Sequence, residues 1–254
     1  MNIVVPIKLV PDLVEELVVN EAGTALDPSC IRLKLNEFDD HAIEQAILLK
    51  EAGAGTVTIV APDLETADDA LYTAAAKGAD RLIKLTGNWQ LGVSNHTLAR
   101  VFANIVKTLR PELILTGVQA HNDLDGAVGP QLAEHLGLPF VGYVAGVRVS
   151  GDQAMVRKEY PGGLSAEMQV RLPAVLGIQA ASKPPRYVPI SKVRQVMKTA
   201  KIEPFPAAEL EAAGVPIAIR LFKPQAAAHA TMLQGDVDAV ATKLVAIFKE
   251  QGVL

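Results

Sequence analysis

The residue types that perform acid–base, nucleophilic or metal chemistry are few in this sequence and poorly spaced for it. His41, His96, His121, His135 and His229 are scattered, and no two stand at a helical metal-ligand spacing. Cys30 is the only cysteine, which excludes an intramolecular disulfide and any multi-cysteine metal or iron–sulfur site. No neighbour of Cys30 is an obvious base to activate it as a nucleophile. The sequence holds no GxSxG elbow, HExxH helix, Walker loop, GxGxxG turn or SGGxDS-like pyrophosphate loop. One stretch stands apart, Gly117-Val118-Gln119-Ala120-His121-Asn122-Asp123-Leu124-Asp125-Gly126-Ala127-Val128-Gly129-Pro130. It follows an apolar strand and leads into a helix, the place where open α/β sheets bind ligands. Gly126 and Gly129 permit close approach of backbone. The helix start offers free N–H groups and a positive dipole end to a phosphate. Asp123 and Asp125 either accept from ribose hydroxyls or close the turn as Asx motifs. With no Lys or Arg in the stretch, a phosphate there relies on backbone amides and the dipole.

The flanking sequence predicts the elements that position this loop. Ile3-Val4-Val5-Pro6-Ile7, Val57-Thr58-Ile59-Val60-Ala61, Arg81-Leu82-Ile83-Lys84-Leu85 and Leu113-Ile114-Leu115-Thr116 read as buried strands. Helices alternate with them. One is capped by Asn36 and carries Ala42, Ile43, Ala46, Ile47 and Leu49. One begins at Thr66 and closes at Lys77-Gly78. One is capped by Ser94 and stops at Pro111. Leu17–Val19 and Ile31–Leu35 flank a Gly-containing turn and predict an antiparallel excursion. After Pro139 the period changes. Segments 141–149, 154–159 and 168–172 read as strands joined by Gly-rich turns, and 175–178 as one more buried strand. Lys183-Pro184-Pro185-Arg186 is linker-like, and no strong period follows until a helix over about 236–251 with Val237, Val240, Leu244, Ile247 and Phe248 on one face. The pattern divides the chain into an α/β domain over 1–182 and an arm over 183–254. The alternation of strand and helix predicts an α/β fold with a parallel sheet covered on both faces, an antiparallel addition and an extended arm ending in a helix. That last helix needs a surface to cover, either a partner chain or its own sheet.

Composition agrees. Half of the 254 residues are hydrophobic and only 4% aromatic, which suits a sheet packed by Ala, Val, Leu and Ile. A net charge of −4 argues against a nucleic-acid partner. No apolar run reaches the roughly 18 residues of a membrane span, and the first residues read as a strand rather than a targeting segment. The expected location is cytoplasmic.

Several motifs, in order along nearly the whole chain, resemble the β subunit of electron transfer flavoproteins, the family that includes nitrogen-fixation-linked members. Lys8-Leu9-Val10-Pro11-Asp12 is similar to the family's Lys-x-Val-Pro-Asp. Asn36-Glu37-Phe38 is similar to its Asn-Pro-Phe/Tyr, with Glu37 in place of Pro. Gly78-Ala79-Asp80 and the Gly117-Val118-Gln119-Ala120 loop also match. Arg157-Lys158-Glu159-Tyr160-Pro161-Gly162-Gly163 followed by Leu172-Pro173-Ala174-Val175 resembles the family signature, with Pro161 where an acidic residue is usual. Arg186-Tyr187-Val188-Pro189-Ile190 resembles the start of the partner-recognition loop.

The resemblance implies a Rossmann-like (adenine-nucleotide α-hydrolase-like) subunit that pairs with an α subunit and acts as an electron carrier rather than an enzyme, except as part of a bifurcating complex. It implies an FAD shared with the α subunit. It also implies a nucleotide in the β subunit, AMP or, in bifurcating members, a second FAD. By position the nucleotide would be held by Pro6, Asn36, Glu37, Phe38, Asp39, Pro62, Gly117, Val118, Gln119, Ala120, His121, Asn122, Asp123, Leu124, Asp125, Gly126, Ala127 and Val128. Leu13 stands where some members place a Tyr near the shared FAD, and Ile190 where they place an apolar anchor for a dehydrogenase. Implied partners are flavin dehydrogenases, such as acyl-CoA dehydrogenases, and a quinone oxidoreductase. No metal site is implied. The other reading of the residues is a nucleotide-binding universal-stress-type protein without a redox role.

Overall fold

The computed structural model describes residues 1–89, 92–207, 219–224 and 230–254, and only the backbone of Ala54. In chain order the elements are β1 (Asn2–Pro6), β2 (Leu9–Pro11), β3 (Leu33–Leu35), α1 (Glu37–Leu49), β4 (Thr56–Pro62), α2 (Ala67–Lys77), β5 (Arg81–Thr86), α3 (Asn95–Leu109), β6 (Leu113–Gly117), α4 (Val128–Leu136), β7 (Phe140–Ser150), β8 (Gln153–Tyr160), β9 (Leu164–Arg171), β10 (Ala174–Ile178), α5 (Ile190–Val196), β11 (Ile202–Pro206) and α6 (Val237–Glu250). Among the described residues nine strands form one sheet in the order β11-β5-β4-β1-β6-β10-β7-β8-β9. Every pairing from β11 to β7 is parallel, and the β7–β8 and β8–β9 pairings are antiparallel. This is the expected α/β architecture with its antiparallel addition.

The pleat sorts alternate residues of β1 to opposite faces, as a period of two requires. Ile3 and Val5, with Ile7 just past the strand, pack with Ala42, Ile43, Ala46 and Ile47 of α1 and Leu71 of α2. Val4 packs on the other face with Leu98, Val101, Phe102 and Ile105 of α3 and Leu132 of α4. Both faces of the inner parallel strands β1, β4, β6 and β10 are covered, so their sequences are mostly apolar rather than alternating. Ser94 caps α3 as expected, its side chain accepting from Thr97 N. Thr66 precedes α2 without a side-chain cap bond.

Two local expectations are corrected. The antiparallel excursion exists, but its strands are Leu9–Pro11 and Leu33–Leu35. Leu17–Val19 contributes only the isolated bridge Val19–Leu26. The stretch after Arg186 is also more ordered than its sequence suggests. It holds α5, which lies against α2, and β11, which pairs with β5 along the sheet edge. Pro204 and Pro206 lack the N–H that a central strand must donate, and an edge strand tolerates that loss. Arg81 and Glu203 form an exposed bidentate pair across the β5–β11 seam, at 2.7 and 3.1 Å. Arg186 ties the start of this stretch to α1, with its guanidinium bridging buried Glu44 and exposed Glu51. Residues 208–218 and 225–229, including His229, lie outside the described residues.

Met1–Leu221 is one compact unit and Phe222–Leu254 a second. In the second, α6 starts at Asp236, whose carboxylate accepts from Ala239 N at 2.8 Å. No residue of α6 is buried. Among the described residues, no helix is long and apolar enough to cross a membrane.

Candidate functional site

β1 lies between β4 and β6, so the chain leaves it toward one edge of the sheet and later returns to build the other. The carboxyl ends of β1 and β6 mark this reversal of strand order, where a crevice opens in doubly wound sheets. A cleft occupies this place. Pro6 and Lys8 come from the exit of β1, Thr116 and Gly117 from the end of β6, and Asn36 and Asp39 from the start of α1. Gln119, Ala120 and Asp123 come from the loop, Val128 opens α4, and Phe102 of α3 lies at the floor.

Asp39 joins the two strand exits. It is 4% exposed, and its Oδ2 accepts from Lys8 N and its Oδ1 from Gly117 N, each at 2.7 Å. Burial pushes its carboxyl up to about 6, against the pull of those two N–H donors toward the charged form. Asn36 does not cap α1 with its side chain. Its Nδ2 donates instead to Gln119 O at 2.9 Å, and its N–H to Lys8 O at 3.0 Å. The Asn36 to Asp39 segment therefore clamps β1 to the loop after β6.

Titration of Asp39 has a direct consequence for stability. Its proton is held more tightly in the folded chain than in the unfolded one, where the value is 3.8. The contribution of Asp39 to stability therefore falls as pH rises from about 4 to about 6, by roughly 3 kcal/mol at 1.36 kcal/mol per pH unit. Asp39→Asn lacks this titration. Urea unfolding across that range is expected to show the stability difference between wild type and variant shifting against the wild type, then levelling above about pH 6.5. Parallel curves would refute the assignment.

Lys8, Asn95 and Asp123 form a network at the inner side of the loop. Lys8 Nζ donates to Asn95 Oδ1 at 2.8 Å and Asp123 Oδ1 at 2.7 Å. Asn95 Nδ2 donates to Asp123 Oδ1 and to Gly126 O, each at 2.7 Å. Asp123 Oδ2 accepts from Ala120 N at 2.8 Å. Asp125 Oδ2 accepts from His96 N at 3.3 Å. Asp123 displays the turn-stabilising role open to it in the sequence, and Asp125 joins the loop to the start of α3. Thr116 Oγ1, Asn122 Oδ1 and Gln131 Oε1 are buried with no hydrogen-bond partner, and Thr116 lines the cleft itself. Buried polar atoms are rarely left so. The first turn of α4 holds no acidic residue, and no side chain caps it, so its N-terminal amides keep their donor capacity.

Eight of the positions expected at the site line this cleft: Pro6, Asn36, Asp39, Gly117, Gln119, Ala120, Asp123 and Val128. Val118 is buried and continues the sheet through its N–H to Ile178 O. Pro62 closes β4 at the same edge of the sheet without lining the cleft. Glu37, His121 and Leu124 are exposed. Phe38 sits against Gly117, and Gly126 has φ +89° with Gln131 Nε2 the nearest atom to its missing Cβ. Asn122, Asp125 and Ala127 are half-buried along the loop. Leu13 is 56% exposed beyond β2, and Ile190 is 68% exposed as the first residue of α5. Lys8, Asn95, Phe102 and Thr116 are not among the site residues expected from the sequence, although Lys8 opens the Lys8-Leu9-Val10-Pro11-Asp12 motif. Lys8 carried a signal, as a lone cation just past a strand that ends at the ligand edge. Asn95 lies 28 residues from Asp123, and nothing local pairs them.

Among the described residues, no group of three His, Cys, Asp or Glu side chains is placed to hold a metal ion. Cys30 is exposed, beside Ser29 Oγ at 3.7 Å. His41 Nδ1 accepts from Ala181 N at 3.2 Å.

Comparison with known proteins adds to this geometry. The family model for the electron transfer flavoprotein domain matches residues 29–210. The electron transfer flavoprotein subunit β of Methylophilus methylotrophus is 28% identical, covering 98% of each chain. The protein of the same name from Syntrophomonas wolfei is 34% identical over 84% of this chain and 83% of its own. That of Clostridium acetobutylicum is 33% identical over 76% and 74%.

Proposed function

The chain belongs to the electron transfer flavoprotein family, in the branch of its β subunits, and on that premise we propose that it pairs with an α subunit to form a cytoplasmic electron carrier. The proposed carrier takes electrons from flavin dehydrogenases, such as acyl-CoA dehydrogenases, and passes them to a quinone oxidoreductase or another acceptor. FAD shared with the α subunit supplies the redox chemistry. The β cleft holds an adenine nucleotide, AMP or, in a bifurcating complex, a second FAD.

The observation that carries this reading is the character of the cleft. It is furnished with hydrogen-bonding groups and a helix N-terminus, and its charged groups are already engaged within the chain, Asp39 by two backbone N–H donors and Lys8 and Asp123 by each other. Such a site suits holding a nucleotide more than transforming one. Thr116 Oγ1 would bond a sugar or base atom, and the amides at the start of α4 would take a phosphate. Lys8 is neutralised by Asp123, so the inner end of the cleft favours the uncharged part of the ligand. Asn36 and Asp39 hold the backbone that faces it. In this reading residues 1–182 serve as the nucleotide-binding domain and 183–254 as the recognition loop and arm on the α subunit, with β11 also completing the sheet edge. Leu13 offers the shared FAD an apolar neighbour.

Co-expression with the α subunit tests the proposal. The purified heterodimer is expected to carry flavin absorbance that bleaches on adding a reduced dehydrogenase and returns on adding an acceptor. A colourless heterodimer would refute it. Ile190, exposed at the start of α5 and flanked by Pro189, tests the dehydrogenase contact. Truncating an apolar anchor costs about 2 kcal/mol, or roughly 30-fold in affinity. Ile190→Ala is expected to slow reduction by the dehydrogenase at limiting concentration with flavin content unchanged. Unchanged reduction kinetics would sink the assignment, and lost assembly would place Ile190 in the subunit interface instead.

A further inference from the structure

We infer that Lys8, Asn95 and Asp123 are positioning residues that hold the loop after β6 in its nucleotide-binding shape, with Lys8 tethering the loop rather than acting as a phosphate ligand. The inference rests on the nucleotide reading of the cleft and adds residues to it. The loop from Val118 to Ala127 belongs to no helix or strand, and backbone that is not held by regular structure opens easily. A ligand cradled by such backbone binds well only if the backbone is already in place. The tethers come from rigid neighbours. Lys8 follows β1, and its own backbone is fixed on both sides, its N–H by Asp39 and its C=O by Asn36. Asn95 is the first residue of α3 and 2% exposed. Together their side chains grip the loop at Asp123 and at Gly126 O, the two points that bracket Leu124 and Asp125 just before α4.

The charge arrangement separates tethering from direct phosphate binding. The Lys8 and Asp123 side chains are 13% and 12% exposed and 2.7 Å apart, so each charge is compensated by the other. A phosphate at Lys8 would have to compete with that carboxylate. Removing one partner of a poorly solvated pair leaves the other uncompensated and free to distort the loop, whereas removing both restores neutrality.

The test uses the purified heterodimer as isolated and follows the rate at which bound adenine nucleotide, AMP and FAD counted together, leaves during exhaustive dialysis. Lys8→Met and Asp123→Asn are each expected to speed this loss about tenfold or more, ~1.4 kcal/mol per factor of ten. The double variant is expected to recover part of that retention. The shared-flavin spectrum and the far-ultraviolet circular dichroism report whether the fold persists, and the near-isosteric Asp123→Asn serves where Lys8→Met does not fold. If Lys8 instead binds phosphate directly, Asp123→Asn frees its charge and slows nucleotide loss, which would overturn the inference. Wild-type retention in both single variants would overturn it too. A wild-type heterodimer with no adenine nucleotide beyond the shared FAD would remove the nucleotide reading itself.

Discussion

Gly117→Ala is expected to empty the β cleft and to lower the stability of the heterodimer by about 5 kcal/mol, from overpacking of 1–3 kcal/mol and loss of a bound ligand worth 3–4 kcal/mol at 100 to 1,000 times its dissociation constant. The overpacking follows from the position of the added Cβ. It would lie 2.5 Å from Asp39 Oδ1, 2.8 Å from Phe38 Cβ and 2.9 Å from Asp39 N. Those atoms cannot swing aside, because Asp39 is buried and bonded to the strand exits on both sides. Relief would have to come from separating α1 from β6, which opens the cleft. Gly126 offers a contrast. Its φ of +89° makes any side chain strained, but the added Cβ would meet only Gln131 Nε2, the end of a flexible side chain, at 3.2 Å. Gly126→Ala is expected to cost about 1 kcal/mol of backbone strain with nucleotide retained, while Gly126→Val adds a branch and should lose nucleotide as well. Melting temperature and released nucleotide, measured on one preparation, check both positions. Normal nucleotide content in Gly117→Ala would contradict the expectation.

The double substitution Leu244→Glu, Ile247→Glu is expected to abolish co-purification with the α subunit. In α6, Leu244, Val245, Ile247 and Phe248 are each about 40% exposed within the chain. A helix of 14 residues is marginal in water without a surface to pack on. In the proposed heterodimer the α subunit supplies that surface. Two carboxylates carried into that contact would each cost several kcal/mol, so affinity should fall on the order of a thousandfold or more. Affinity capture of a tagged α subunit with the full-length variant measures this. Undiminished recovery would show that α6 does not contribute to the interface.

The inner parallel strands were legible because they are buried on both faces and therefore mostly apolar, as in Ile3-Val4-Val5. The loop after β6 that lines the cleft was legible through Gly117, Gly126 and the helix that follows. The arm concealed its edge strand because Pro204 and Pro206 contradict the usual strand signal, and only pairing at the sheet edge permits them. Asn36 looked like a simple helix cap, but its amide goes to Gln119 O, 83 residues away. The Lys8–Asn95–Asp123 network was hidden for the same reason. Its members come from three separate segments, and only the fold brings them together.

The proposed function requires this chain to bind an adenine nucleotide of its own in addition to an FAD shared with the α subunit. Denaturing a weighed amount of purified heterodimer and quantifying every released nucleotide tests it most directly. Two adenine nucleotides per heterodimer are expected, at least one of them FAD. A single FAD with nothing else released, or no flavin at all, would contradict it.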